Sequence, residues 1–220
     1  MIIAVTDNLL IVYTHFNTPL PTDKWQDYAE QLPMVLQQRM SRFRRWQDQQ
    51  AFLLGKLLLQ QALYSMGYPA DSLYQLQYNQ YNRPFLGQSV DFNISHAGEY
   101  VICAITTKGR VGIDIELIKP INLEDFQHYL TSQEWQAIVS SPVSYEVFYN
   151  YWTIKESVIK ADGRGLSIPL RDVHFEAGMV KLDEQSWFIH PITVDPRYTC
   201  HCATNWVERN MQIKKINFVD

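Results

Sequence analysis

One stretch constrains the first half of this 220-residue chain more than any other. Between residues 42 and 66, Leu53, Leu54, Leu57 and Leu58 recur at helical spacing, and Gly67 followed by Pro69 stops the pattern. A helix this apolar needs a surface to cover. Gly55 in its middle lowers helix propensity, so a close backbone approach is expected there. The surroundings supply strands: residues 2–6, 9–13, 100–106 and 110–116, with a Tyr-rich strand and loop over 74–91 broken by Pro84 and Gly87. Lys108-Gly109 between two of these strands is hairpin-like.

The second half repeats the mixture. Helices are expected over 123–130, 132–140 and 145–161, the last ended by Gly163 and Gly165, and a short one over 23–32 with Thr22 as its N-cap. Strands are expected over 172–176, 179–182, 187–193, 198–206 and 211–218. Each half therefore offers helix and strand together, which defines a mixed α+β class. The two halves are expected at 1–106 and 107–220.

Hydrophobic residues make up 46% and charged residues 19%, a globular rather than a disordered balance. The net charge of -4 gives no basic excess for nucleic acid. Cys103, Cys200 and Cys202 are too few and too poorly spaced for a disulfide framework or a zinc site, and reduced thiols in the cytoplasm are expected. Met1 to Tyr13 is apolar but lacks a basic start and is interrupted by Asp7 and Asn8, so no signal peptide is expected. No run of 18 apolar residues suggests a membrane span.

Asp114 and Glu116 lie two apart in an expected strand, so both carboxylates share a face while Val111, Ile113 and Ile115 share the other. Paired carboxylates repel unless a cation neutralises them, and hard oxygen donors suit Mg²⁺. A solvated acidic face is the alternative. Glu156 sits in an apolar, aromatic helix with Lys160 four residues on, which is also the spacing of an ordinary surface ion pair. Ser95-His96 lacks the glycine-flanked elbow of a serine hydrolase. Gly163-Arg164-Gly165 could touch phosphate but reads better as a helix end. Arg39, Arg42, Arg44 and Arg45 cluster before the long helix, with Lys56 on it. Basic groups at a helix start oppose its dipole, which favours an anionic partner such as phosphate.

Taken together these segments resemble the Sfp-type 4′-phosphopantetheinyl transferases. One family signature is matched by Val111-Gly112-Ile113-Asp114-Ile115-Glu116 and a second by Trp152-Thr153-Ile154-Lys155-Glu156-Ser157, continuing to Lys160, Gly163, Gly165 and Leu166. A third block is Phe92-Asn93-Ile94-Ser95-His96, and looser similarity covers Arg39 to Leu58, Tyr81 to Phe85 and Asp195 to Tyr198.

The resemblance implies two similar α/β halves related by pseudo-two-fold symmetry, with coenzyme A bound between them. It implies transfer of the 4′-phosphopantetheine arm of coenzyme A to a serine of an acyl or peptidyl carrier protein, with release of adenosine 3′,5′-bisphosphate. By that resemblance Asp114, Glu116 and Glu156 hold Mg²⁺, or Mn²⁺. Glu156 acts as base and Lys160 steadies the phosphate or the leaving oxygen. Arg39, Arg45, Arg83, Pro84, Ser95, His96, Lys155 and Lys160 bind coenzyme A, with Asn82, Arg83 and Pro84 holding the adenine edge largely through backbone. Asn82 stands where the family usually has Gly, and Asn tolerates left-handed backbone. Two basic family positions align with Leu36 and Ala51. Family members of this length are often monomers, and a monomer is expected. The carrier is expected to dock on the region 117–145. A non-catalytic binding module is a rival reading, opposed by the intact carboxylate trio. A different Mg²⁺ phosphotransferase is another, opposed by the lack of a P-loop or kinase signature.

Overall fold

The structure, a computed structural model, describes residues 9–87 and 90–218. The strand expected over 2–6 lies outside the described residues. The chain is mixed α+β and its described residues form two compact units: residues 9–78, 84–87, 90–108 and 210–218 make the first, and 79–83 with 109–209 make the second. The chain passes from the first unit to the second at residues 108–109. The C-terminal segment does not stay in the second unit, because its strand returns to the first unit's sheet.

In the first unit, β1 (Leu10–His15) is followed by α1 (Thr22–Glu30), α2 (Met34–Met40) and α3 (Trp46–Ser65). Next come the two-residue strands β2 (Gln77–Tyr78) and β3 (Pro84–Phe85), then β4 (Asp91–Ala97) and β5 (Tyr100–Thr106). α1 begins at Thr22 itself with Pro21 as its cap residue and no side-chain cap. This corrects the expected Thr22 cap: Pro21 has extended backbone and its carbonyl receives the first helical N–H, from Trp25. α2 was not expected from the sequence. Its Leu36 and Met40, four residues apart, face the core while Met34 and Val35 stay exposed.

α3 starts at Trp46, four residues later than its apolar pattern suggested, so Arg42 and Arg44 precede the helix rather than occupying its first turn. Leu53, Leu54, Leu57, Leu58 and Leu59 are all at most 2% exposed, each stabilising the fold by about 1.5–3 kcal/mol. The helix lies against β1, β4 and β5. A Cβ on Gly55 would stand 3.0 Å from Ile94 Cγ2, so this glycine does mark a close approach of helix to sheet. The sheet order is β11-β1-β5-β4, where β11 (Gln212–Lys215) runs parallel to β1 and the other pairs are antiparallel.

The second unit starts from β6 (Val111–Leu117) and continues through α4 (Ser132–Val139) and α5 (Ser144–Asp162). It is completed by β7 (His174–Glu176), β8 (Met179–Leu182), β9 (Gln185–Pro191) and β10 (Tyr198–Thr204), in sheet order β6-β10-β9-β8-β7. The helix expected over 123–130 is a 3₁₀ turn over 123–129. Thr131 and Glu134 form a capping box at the start of α4. α5 packs on β6 and β10 with one face. With the other it joins an aromatic cluster in which Trp152 stacks on Phe148 at 5.7 Å and meets Phe126 edge-on at 5.4 Å.

The expected hairpin at Lys108-Gly109 does not form. Both edges of β5 are occupied, by β1 and by β4, so β6 enters the other sheet and pairs with β10. The real local hairpin joins β4 to β5 through Gly98, which has φ +52. Gly109 serves a different need: a Cβ there would stand 2.4 Å from Asn205 Oδ1, which accepts the Arg110 N–H. Among the described residues no helix is long and apolar enough to cross a membrane.

Candidate functional site

Period-two alternation turns Gly112, Asp114 and Glu116 to one face of β6, and α5 covers that face. Gly112 makes the approach possible. A Cβ there would lie 2.1 Å from the Ser157 carbonyl oxygen and 2.4 Å from the Ala161 nitrogen. With the helix seated this closely, Glu156 and Lys160 are carried to the acidic strand. Lys160 Nζ donates to Asp114 Oδ1 at 2.5 Å. Lys160 thus meets Asp114 across the helix–strand contact, and its charge also acts on Glu156 one turn back. Asp114 is 2% exposed, which removes the solvated-face alternative for this carboxylate. Its Oδ2 is buried and accepts no hydrogen bond.

Three carboxylates share this neighbourhood. Burial pushes Glu116 up to about 7, assisted by the charges of Asp114 and Glu156 and opposed by Lys160. Burial also raises Glu156, against the pull of Lys160 and with the push of Asp114. Lys160 is raised: burial lowers it, but Asp114, Glu156 and Glu116 together outweigh that. Tyr149 is part of the same field, since burial and then Glu116 raise its phenol. The donor set is hard oxygen with excess negative charge, the chemistry that suits a small divalent cation. The side chains do not form a ready cage, however: among the described residues no three His, Cys, Asp or Glu side chains are gathered closely enough to hold a metal ion.

The back of α5 carries structure rather than chemistry. Lys155 is 1% exposed, and its ammonium donates to Leu170 O at 3.0 Å and Val173 O at 2.6 Å and pairs with Glu134 Oε1 at 2.8 Å. Its three donors are engaged inside the second unit, where the resemblance implied a contact to coenzyme A. Glu134 Oε2 meanwhile accepts the Thr131 N–H, so one carboxylate both caps α4 and neutralises Lys155. His201 on β10 hydrogen-bonds Thr153 Oγ1 through Nδ1 at 2.8 Å, and burial pushes it down to about 4. Cys200 and Cys202 flank it with buried thiols, raised by that burial.

The C-terminal end of α5 is held by Arg83, expected to bind coenzyme A, and by Arg110 and Asn79, which the motifs did not single out. Arg83 Nε donates to Lys160 O at 2.9 Å and Nη2 to Val111 O at 3.1 Å. Arg110 donates to Ala161 O and Asp162 O, and Asn79 Nδ2 to Gly163 O. Cationic groups here suit the negative end of the helix dipole. Gly163 closes the helix at φ +93. Arg164 is taken up by Asp162 and Asp183, which supports the helix-end reading of Gly163-Arg164-Gly165.

Arg83, expected to hold the adenine edge largely through backbone, makes these contacts inside the second unit. Its N–H donates to Asn79 Oδ1, its carbonyl accepts the Asn79 N–H and its guanidinium grips α5 and β6, so both its backbone and its side chain are engaged within the protein. Asn82 beside it has φ +61, the left-handed backbone expected of an Asn replacing Gly.

The remaining coenzyme A candidates belong to the first unit. Arg39 is exposed and its guanidinium lies 5.0 Å from the Tyr78 ring centre. Arg45 is exposed just before α3, and Pro84 is half-buried in β3. Ser95 and His96 are neighbours on edge strand β4 and turn to opposite faces, Ser95 buried and His96 exposed. Leu36 and Ala51 are both core residues, at 2% and 4% exposure. Lys56, a further basic candidate, is buried beside the Phe52 ring rather than presented outward.

Comparison with known proteins identifies the family. Residues 110–201 match the 4′-phosphopantetheinyl transferase superfamily, and residues 18–108 match the N-terminal region of 4′-phosphopantetheinyl transferases. The 4′-phosphopantetheinyl transferase Sfp of Bacillus subtilis (strain 168) is 30% identical over 196 residues, 84% of this chain and 87% of that protein. The 4′-phosphopantetheinyl transferase gsp of Aneurinibacillus migulanus is 36% identical over 61% of this chain and 57% of its own length. The L-aminoadipate-semialdehyde dehydrogenase-phosphopantetheinyl transferase of Xenopus laevis is 28% identical over 78% and 67%. The chain belongs to the 4′-phosphopantetheinyl transferase superfamily, a family of transferases.

Proposed function

We propose that this enzyme transfers the 4′-phosphopantetheine arm of coenzyme A to a serine hydroxyl of an acyl or peptidyl carrier protein, releasing adenosine 3′,5′-bisphosphate. The observation that carries this reading is the meeting of Lys160 with Asp114 at 2.5 Å, among the carboxylates of Glu116 and Glu156. Phosphoryl transfer needs charge neutralisation and positioning more than covalent help. Lys160 offers a fixed positive charge for a phosphate or leaving oxygen. Glu156, whose carboxyl burial raises above the usual glutamate range, is suited to accept the serine proton directly or through water.

Asp114, Glu116 and Glu156 would hold Mg²⁺, with Mn²⁺ as a substitute of like preference for oxygen. When bound, the cation would neutralise the pyrophosphate and make its phosphorus more electrophilic. Arg39, Arg45, Pro84, Ser95 and His96 are proposed to contact coenzyme A, with the arginines on phosphate. The carrier is proposed to dock on the region 117–145, where a surface cavity of about 500 Å³ is lined by His128, Trp135 and Arg171 among others. The protein is proposed to work as a cytoplasmic monomer without nucleic acid or membrane.

The test is direct. The protein is incubated with coenzyme A, Mg²⁺ and several apo carriers, and each carrier is weighed by mass spectrometry. A gain of one phosphopantetheine is expected; unchanged mass across all carriers refutes the reading. Glu156→Gln should retain coenzyme A binding and lose most transfer. Full activity in that variant would refute the role of the base.

A further inference from the structure

We propose that Arg83 is a positioning residue for the transfer, acting through Lys160. This rests on the transferase reading above. The Arg83 side chain, 8% exposed, bridges two backbone carbonyls. One belongs to Lys160 itself, at 2.9 Å from Nε, and the other to Val111, three residues before Asp114 on β6, at 3.1 Å from Nη2. The same two elements meet again through side chains, where Lys160 Nζ reaches Asp114 Oδ1. The guanidinium and the Lys160–Asp114 bond therefore fix one contact of α5 with β6 from two points.

The clamp is built to be rigid. A planar guanidinium offers its donors in a fixed fork, so two carbonyls held by it cannot slide independently. Gly163, at φ +93, leaves the room it needs: a Cβ there would stand 2.7 Å from Arg83 Cδ. At its own root Arg83 is tied to Asn79, whose Oδ1 accepts the N–H groups of both Tyr81 and Arg83. Arg110 holds the next two carbonyls, Ala161 O and Asp162 O, so the backbone of the last turn is gripped residue by residue. What sets Arg83 apart is that the carbonyl it holds is that of the lysine at the reacting phosphate.

The experiment measures kcat, KM for coenzyme A and the thermal midpoint for wild type, Arg83→Gln and Arg83→Lys with one apo carrier and saturating Mg²⁺. Loss of the clamp lets the lysine drift, so kcat of Arg83→Gln should fall about 10- to 100-fold, with KM for coenzyme A within about twofold of wild type. Arg83→Lys keeps the charge but not the fork and should recover part of kcat. If Arg83→Gln does not fold, Arg83→Lys decides by the same split. A raised KM with unchanged kcat overturns the proposal in favour of a ligand contact. A lowered midpoint with unchanged kcat and KM overturns it in favour of a purely structural cap. A wild-type protein inactive on every carrier overturns the transferase reading itself, whereas an active wild type with an equally active Arg83→Gln overturns this inference alone.

Discussion

Gly112 sits so close to Ser157 that a Cβ on it would stand 2.1 Å from the Ser157 carbonyl oxygen. This contact seats α5 on the acidic face of β6 and brings Lys160 and Glu156 to Asp114 and Glu116. The obstacle is helix backbone, which cannot swing aside. Gly112→Ala is expected to destabilise the fold by about 3 kcal/mol or more, the upper range of overpacking. Urea unfolding measures it, and an unchanged midpoint would show that the helix can lift without cost.

Asp114 is the carboxylate most enclosed by this contact. Asp114→Asn keeps the shape and removes the charge, so the Mg²⁺ concentration for half-maximal transfer should rise at least about tenfold. A Mg²⁺ titration of the transfer rate checks this. A superimposable titration would exclude Asp114 as a metal ligand.

Lys155 and Glu134 form an ion pair inside the second unit, with side chains 1% and 9% exposed. Lys155→Met leaves Glu134 buried without its cation and should cost about 3–5 kcal/mol. Adding Glu134→Gln should recover part of that loss, since it removes the stranded charge and keeps an acceptor for the Thr131 N–H. Denaturant unfolding of both variants decides it. A Lys155→Met protein as stable as wild type but with raised KM for coenzyme A would restore the ligand role implied by resemblance.

Lys56 gives a pH signature. Burial pushes its ammonium down from the usual lysine value of 10.5 to about 8. The folded state therefore binds fewer protons than the unfolded chain between those values, and the penalty for burying the charge is full below about 8 and relieved as pH rises toward 10.5. Lys56→Met should be more stable than wild type by up to about 3 kcal/mol at neutral pH, with the difference shrinking at alkaline pH. Comparing the two proteins at each pH cancels most of the contribution of Cys103, whose thiol burial pushes up to about 12. A stability difference constant with pH would contradict this.

Asn82 holds φ +61 in an exposed turn. Asn82→Gly should change stability by no more than about 0.5 kcal/mol, and Asn82→Val should cost about 1–2 kcal/mol because a branched Cβ meets the backbone there. Thermal unfolding of the two variants separates them, and equal midpoints would show that the turn rearranges.

Much of the site was legible because its signals are local. The spacing of Asp114 and Glu116 puts them on one face in any strand, and Glu156 and Lys160 lie one turn apart in any helix. The left-handed Asn82 and the helix-ending Gly67 and Gly163 follow from what Asn and Gly backbones tolerate. The capping box at Thr131 and Glu134 was equally local and was there to be found.

The tertiary structure decided what depends on distant chain. Lys108-Gly109 has hairpin composition, yet β5 already has neighbours on both edges and β6 takes its partner from β10, far along the chain, with Asp114 opposite His201. The same holds for the long cations. Lys155, Lys160, Lys56 and Arg83 carry similar charge on flexible stems, and nothing beside them in the sequence says which will meet a carboxylate, a ring or a helix end. The elements that pack around each one settle that, because burying a cation is costly unless the surrounding fold supplies its partners.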